Sequence, residues 1–402
     1  MNTAIACPSC RAAPRDAIDA ATHPDPYPYY AALREGPALR HDAALNAWIA
    51  SRADAVAAVL ADPAFAVRPP HEPVPRAIVG TPSGEIFARL VRMNDGDLHR
   101  AVRPVLHGAL AQVDLAHAGA IAQRIGRARQ ALDVSDALFA VPVQTVASLL
   151  GFADDTLAAV SDAVRNFVAC LSPLSSAAEL QAANTAATAL LDAFATLAAV
   201  SAAPPGSVLA TVRAHCDDGA LPRDVLINLV GLLSQTCDGT AALVGNSLCV
   251  LARDTAVAAR VQAALQRGGD APQDAAIIVR ALVAETARWD APVQNTRRFA
   301  VADTVVGGVP VARGDAVLLL LAAANRDPAR HADAETFDID RAPRPALGFG
   351  HGRHACPGAA LAQAVAVGSL LALLQRPGLV DAVRARGWRY RASVNARIPY
   401  FL

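Results

Sequence analysis

The chain has 402 residues, with 36 Lys plus Arg balanced by 36 Asp plus Glu, 53% hydrophobic residues and 4% aromatic residues. The charge balance leaves no electrostatic case for nucleic acid, and neither a run of about 18 apolar residues nor a basic-then-apolar leader marks a membrane or secretory segment. An Ala- and Leu-rich chain of this size is expected to be mainly α with a minor β region, soluble and cytoplasmic.

The first stretch, residues 1–22, is expected to be loosely attached, and 23–402 to form a single large domain. Seven cysteines at irregular spacings, an odd number, argue against a disulfide framework. Cys7 and Cys10 form a C-P-S-C pair, with no second Cys/His pair to complete a zinc site. A short helix is predicted from about Tyr27 to Arg34, strands around Ala38 to Ile49, and a helix from Arg52 to Leu60. Between Val67 and about Arg92, Pro69, Pro70, Pro73, Pro75 and Pro82 break all periodicity and predict a long loop. The next helix, Asp95 to Leu110, sets His99 and Arg103 four residues apart on one face, a pair suited to clamping carboxylates. Pro104 conflicts with an uninterrupted helix there.

Residues 111–220 read as Ala/Leu-rich helices broken at Pro173 and at Pro204, Pro205 and Gly206. A long helix follows from Pro222 to about Cys249. Further on, Glu285 and Arg288 share one face of a helix apolar enough to be buried, and buried charges persist when paired. Pro292 opens an extended segment leading to strands Phe299 to Val305 and Val309 to Val311, with a helix start near Asp315. From about Asn325 no periodicity is visible until the helix that follows Cys356 and runs to about Leu374. The last residues, RASVNARIPYFL, read as a hairpin turning around Val394 to Ala396.

The irregular run ends in LGFGHGRHACPG, Leu347 to Gly358, and long irregular segments in compact domains are usually functional. Cys356 lies at the predicted helix start with Pro357 near the first position, where backbone N–H groups and the helix dipole favour a thiolate. Such a thiolate is a nucleophile or a metal ligand. Gly348, Gly350, Gly352 and Gly358 let the backbone approach something flat and large. The pattern F-x-x-G-x-x-x-C-x-G is met in full by Phe349, Gly352, Cys356 and Gly358, and Glu285 and Arg288 supply an E-x-x-R about seventy residues earlier. Together they resemble the cytochrome P-450 haem-thiolate enzymes, and the resemblance extends from Asp25 to Leu402 in order and spacing.

That resemblance implies the cytochrome P-450 fold and a haem b cofactor ligated by Cys356, with Phe349 and Gly358 beside it. His99, Arg103, Arg298 and His354 would hold the propionates, and Glu285 with Arg288 would lock the core behind the cysteine loop. Phe167, Leu171 and Leu174 fall in the lid, and Val293, Gln294, Asn295 and Val394 where the family's chain touches substrate. The long helix would cross the distal side of the haem. Family members carry there a small residue, a glycine, any residue, an acid and a threonine; this chain has Gln235, Thr236, Cys237, Asp238 and Gly239. The acid is kept and the threonine is lost. Thr240 sits about 100° further round the helix and cannot simply replace it.

The implied function is a monooxygenase acting on a small organic, secondary-metabolite substrate, monomeric, with electrons from a ferredoxin or flavodoxin. The missing distal threonine keeps open peroxide-driven or non-oxygenative chemistry such as dehydration, coupling or nitrogen-centred rearrangement. A non-catalytic haem- and ligand-binding protein is the third expectation.

Overall fold

Ala- and Leu-rich segments without β-branched runs favour helix, and most of this chain follows that preference. The computed structural model describes residues 13–199, 204, 206–216, 221–267 and 272–402. Cys7, Cys10 and Pro205 lie outside the described residues. The helices are α1 Tyr27–Arg34, α2 Ala53–Ala61, α3 Pro82–Arg89, α4 Asp97–Ala111 and α5 Leu115–Ala128. After them come α6 Val134–Leu150, α7 Leu157–Phe167, α8 Ala177–Ala199, α9 Val208–Ala214 and α10 Arg223–Arg253. The series closes with α11 Thr255–Gln266, α12 Pro272–Trp289, α13 Leu321–Asn325, α14 Ala359–Leu373 and α15 Leu379–Arg386. Among the described residues, nine short strands accompany them: β1 Arg40–Asp42, β2 Ala47–Ala50, β3 Phe65–Ala66, β4 Thr296–Ala300, β5 Thr304–Val306, β6 Val309–Val311, β7 Ala316–Leu319, β8 Trp388–Tyr390 and β9 Pro399–Phe401. The expectation of a mainly α protein with a minor β region is met in one large helical body.

The organising element is α10, whose 31 residues span about 46 Å. Every residue from Thr240 to Ala252 is buried, and α6, α12 and α14 pack along its length. Apolar side chains all round a helix mean that it runs through a core rather than over it. Beside α10, α5 and α14 lie unusually close. A Cβ on Gly368 would collide with the Gly119 carbonyl oxygen and come within 2.8 Å of the Ala122 Cβ.

The main sheet has the order β1-β2-β7-β4-β3, with β2 and β7 parallel and the other neighbours antiparallel. The hairpins β5-β6 and β8-β9 stand apart from it. The helix expected to start at Asp315 is strand β7. Its Val317 to Leu319 are buried between two neighbours, and a strand covered on both faces reads as a short apolar run that periodicity cannot tell from helix. Asp315 serves the preceding turn, accepting hydrogen bonds from the Ala312 amide at 3.0 Å and Trp48 Nε1 at 2.9 Å.

Three other expectations change. The Pro-rich stretch contains α3, capped by Thr81, whose Oγ1 accepts from the Gly84 amide at 3.2 Å, with Pro82 beginning the helix. Helix α4 continues past Pro104 to Ala111, giving up the one backbone bond that proline cannot donate. The segment up to residue 22 is packed from Ala17 onward: Ala17, Ala20 and Ala21 are completely buried, and Ala17 and Ala20 join Tyr27 and Tyr30 in a small core.

Candidate functional site

The cysteine segment is a chain of tight turns. Gly350 donates its amide to the Leu347 carbonyl at 2.8 Å, Ala355 to Gly352 at 3.0 Å, and Cys356 back to Phe349 at 2.8 Å. Gly350 and Gly352 have φ of 75° and 67°, which favour glycine, and a Cβ on Gly352 would stand 3.0 Å from the Leu60 carbonyl oxygen. Asn325 Oδ1 accepts from the Leu347 amide at 2.6 Å and anchors the start of the loop.

Helix α14 begins at Ala359 with Gly358 as its N-cap, so Cys356 and Pro357 precede the helix rather than open it. Cys356 is reached by solvent but enclosed by protein, and burial raises its thiol pKa. The Gly358 amide and the Arg103 guanidinium pull the other way without prevailing. The helix terminus therefore does not by itself produce the expected thiolate. A metal ion bound at sulfur ionises a thiol outright.

Four basic groups converge beside this loop. On α4, His99 packs its ring against that of His354, centroids 4.6 Å apart, and its Nε2 is buried without a partner. Burial lowers the pKa of His99, and the neighbouring His354 and Arg103 add to the effect. Arg103 donates to the Ala355 carbonyl at 2.7 Å. Arg298, on β4, is buried, and desolvation brings its guanidinium down to about 10. An orphaned buried nitrogen on His99, repelled by His354 and Arg103, with the desolvated Arg298 repelled by Arg353, fits an anionic ligand, and the acidic edge of a haem fits both the charge and the turn of small residues next to it.

One member of this cluster was not singled out from sequence. Asp95 Oδ1 lies 2.9 Å from His354 Nε2 and accepts from Arg353 Nε at 3.2 Å, while Oδ2 accepts from the Val67 amide at 3.0 Å. Burial would raise its pKa, but the bonds to His354 and the Val67 amide and the nearby Arg353 hold its carboxyl well below the usual range. Its position four residues before His99 was the available signal.

Glu285 and Arg288 are completely buried and paired at 2.6 Å. Glu285 also takes Arg341 Nε at 3.1 Å and the Asp338 amide at 3.1 Å. Arg288 donates to the carbonyls of Asn325, Ala334 and Thr336 at 3.2, 2.9 and 3.1 Å. The pair thus pins the irregular segment that leads into the cysteine loop. Arg341, the third member, is exposed by the structure rather than by the E-x-x-R spacing.

On the other side stands the middle of α10, unbroken. Gln235 Nε2 donates to the Gly231 carbonyl and Thr236 Oγ1 to the Leu232 carbonyl, each at 2.8 Å, so both side chains donate back to their own helix. Burial raises the pKa of Asp238, opposed by Arg391 and Arg92. Apart from its chain neighbours and its own helix backbone, no heavy atom lies within 4 Å of where a Cβ on Gly239 would be, and Thr240 is buried.

The expected substrate contacts divide. Val293 and Val394 are half-buried, and Val293 pairs with Ala396 in an isolated bridge. Gln294 is completely buried, accepting from Tyr30 Oη at 3.1 Å and donating to the Ala291 carbonyl at 2.7 Å. Asn295 donates to the Val394 carbonyl at 3.0 Å and so braces the C-terminal turn. Phe167 is buried in the core, Leu171 half-buried, and Leu174 is 57% exposed. A separate surface cleft of about 510 Å³, lined by Val79, Thr81, Pro82 and Glu85 among others, contains none of the candidate residues.

A family model described as Cytochrome P450 matches residues 223–376, from the first turn of α10 through the cysteine loop and past α14. The crystal structure of CalO2 superposes with a TM-score of 0.78 at 25% identity, covering 94% of this chain and 95% of that one. The chain belongs to the cytochrome P450 family. Among curated relatives, this P450 is 40% identical over 120 residues to the biotin biosynthesis cytochrome P450 of Bacillus subtilis (strain 168), 30% of each chain. It is 32% identical over 196 residues to the mycinamicin IV hydroxylase/epoxidase of Micromonospora griseorubida, 48% of this chain and 47% of the relative. The matched segments span less than half of either relative's length. No single helix among the described residues of this P450 is long and apolar enough to cross a membrane.

Proposed function

We propose that this P450 binds haem b through Cys356 Sγ and inserts one oxygen atom from dioxygen into a small organic substrate. The observation that carries this reading is the convergence of His99, Arg103, Arg298 and His354 on one edge of the cysteine recess. His99 Nε2 and the guanidinium groups would hold the propionates, and Asp95 would orient His354. Bound haem with a thiolate ligand supplies the reductive activation of dioxygen, the thiolate pushing electron density toward the iron. Residues 23–402 act as one domain in the cytoplasm, as a monomer, and a ferredoxin or flavodoxin delivers the electrons.

The chain's own contribution on the distal side is proton handling. Asp238, whose pKa burial raises, is placed to take up and pass on a proton at a carboxyl oxygen one residue from Gly239. Gly239 offers no hydroxyl to position an oxygen ligand or a water. The open space beside it admits a hydroxyl from the substrate or a water instead. A second reading, peroxide-driven or non-oxygenative chemistry, is favoured by the same open space together with Gln235 and Thr236 being bonded to their own helix.

Gly239→Thr separates the two, because the added Cβ enters open space. The monooxygenase reading expects the variant to couple more of its NAD(P)H consumption to product when a ferredoxin supplies electrons. Unchanged coupling, with full turnover on peroxide alone, would favour the second reading.

A further inference from the structure

Arg92 is a charged residue that none of the roles above uses. It occupies a 3-10 turn, Val91–Met93, between α3 and α4. Both ends of that turn are fastened. On one side Asn228 of α10 accepts from the Val91 amide at 2.7 Å and donates to the Arg89 carbonyl at 2.8 Å. On the other, Asn94 Nδ2 donates to the carbonyls of Ala88 and Leu90 at 2.9 and 2.8 Å, and Asp95 follows, tied to His354. The turn therefore bridges the distal helix and the cysteine loop.

The packing next to it gives the turn's place along α10. Leu90 Cδ2 lies 2.6 Å from where a Cβ on Gly231 would stand, and Gln235 Nε2 lies 3.4 Å from the same point. Arg92 follows Leu90 by two residues, beside the stretch of α10 that carries Gln235, Asp238 and Gly239. Its side chain is reached by solvent, yet the surrounding protein desolvates the guanidinium enough to lower its pKa, with Cys170 and Asp238 acting in the opposite direction. Accessible and desolvated together describe the wall of an interior recess, not the outer surface. Cys170 belongs to the 3-10 turn after α7, which places the far side of the recess under the lid.

Arg92 makes no ion pair and no side-chain hydrogen bond among the described residues. Asp238 is not its fixed partner, since no ion pair joins them and burial holds Asp238 toward the neutral acid. A desolvated cation with no partner is costly, and a planar guanidinium is matched in shape and charge by a carboxylate taken up bidentately. For a purely apolar substrate, an apolar side chain at this position would be the less costly choice.

We propose that Arg92 binds a carboxylate carried by the substrate, holding it within the distal recess while another part of the molecule faces the centre of the site. The proposal rests on the haem-site reading and narrows it to substrates that are organic acids.

The test uses the purified holoenzyme and matched pairs of straight-chain carboxylates and primary alcohols of six to fourteen carbons, plus 3-phenylpropionate with 3-phenylpropanol. Binding is measured by calorimetry and, in parallel, by the shift of the Soret band. At least one pair should show a tenfold or greater preference for the carboxylate. Arg92→Gln should bring the ratio close to one, and Arg92→Lys should retain part of it. No carboxylate preference in any pair, including no binding at all, overturns the proposal. So does a preference that survives in Arg92→Gln, or a variant whose only defect is weaker haem retention. The reduced CO spectrum of the same preparation keeps the two readings apart. A spectrum without thiolate ligation alongside a calorimetric carboxylate preference would reject the haem-thiolate reading and leave the Arg92 site standing.

Discussion

At the scale of single residues, burial shifts the protonation of several site groups, and neighbours reinforce that shift at His99 and oppose it at Asp95, Asp238 and Cys356. For Asp238 the burial is not corrected, so its folded pKa lies above its unfolded one. The sign follows: the protonated acid is tolerated, and the cost of the charge grows as pH rises through the usual carboxylate range. Asp238→Asn should therefore leave thermal stability at neutral pH equal or higher while dioxygen-driven turnover falls about a hundredfold, the lower end of general acid-base contributions. Parallel melting and turnover measurements check both halves. Asp95 has the opposite sign. Its folded pKa is depressed, so the stabilisation is fully present above the unfolded carboxylate value of about 3.9 and drains away as pH falls through the folded value. Asp95→Asn should be less stable than the parent at neutral pH, and acid melts should show the difference shrinking as pH falls below about 4.

The site residues legible in the sequence are those whose chemistry is stated locally. Cys356 lies in a turn whose glycines and spacing are written in twelve consecutive letters. His99 and Arg103 share a helical face, and the structure brings both to that turn. Asp95 and Arg341 escaped because their partners, His354 and Glu285, are distant in sequence, and nothing local distinguishes them from any surface charge. The bonding of Gln294 was hidden for a related reason: extended backbone alternates its faces, and tertiary packing against Tyr30 decides what each side chain meets.

At the scale of elements, helices of strong periodicity were legible and short buried strands were not. The long helix α10 follows from its length and apolar content, whereas β7 carries the same apolar letters in too few residues to show a period. Helix α3 hides among prolines, although Thr81 and Pro82 are its start signal. Close helix packing is likewise invisible until the partner is known. Gly368 permits α14 to approach α5 at Gly119, and its substitution leaves no space for a methyl group. Gly368→Ala should destabilise the protein by about 1–3 kcal/mol, the usual cost of overpacking a core. Chemical denaturation would show it as a lower midpoint, with the haem spectrum of the folded fraction unchanged.

At the scale of the whole molecule, the buried Glu285–Arg288 pair ties α12 to the segment that delivers the cysteine loop. Removing one partner of a fully buried pair leaves an uncompensated charge and costs about 3–5 kcal/mol. Glu285→Ala should therefore yield little soluble haem-loaded protein. A normally loaded variant would mean that the pair does not hold the loop. The central claim, that Cys356 gives this P450 a haem-thiolate site, is tested most directly by the absorption spectrum of the reduced CO complex of the purified protein. The expected result is a strongly red-shifted Soret band that is lost in Cys356→His. A Soret band at the position typical of a histidine-ligated haem in the parent protein, or no haem at all, would contradict it.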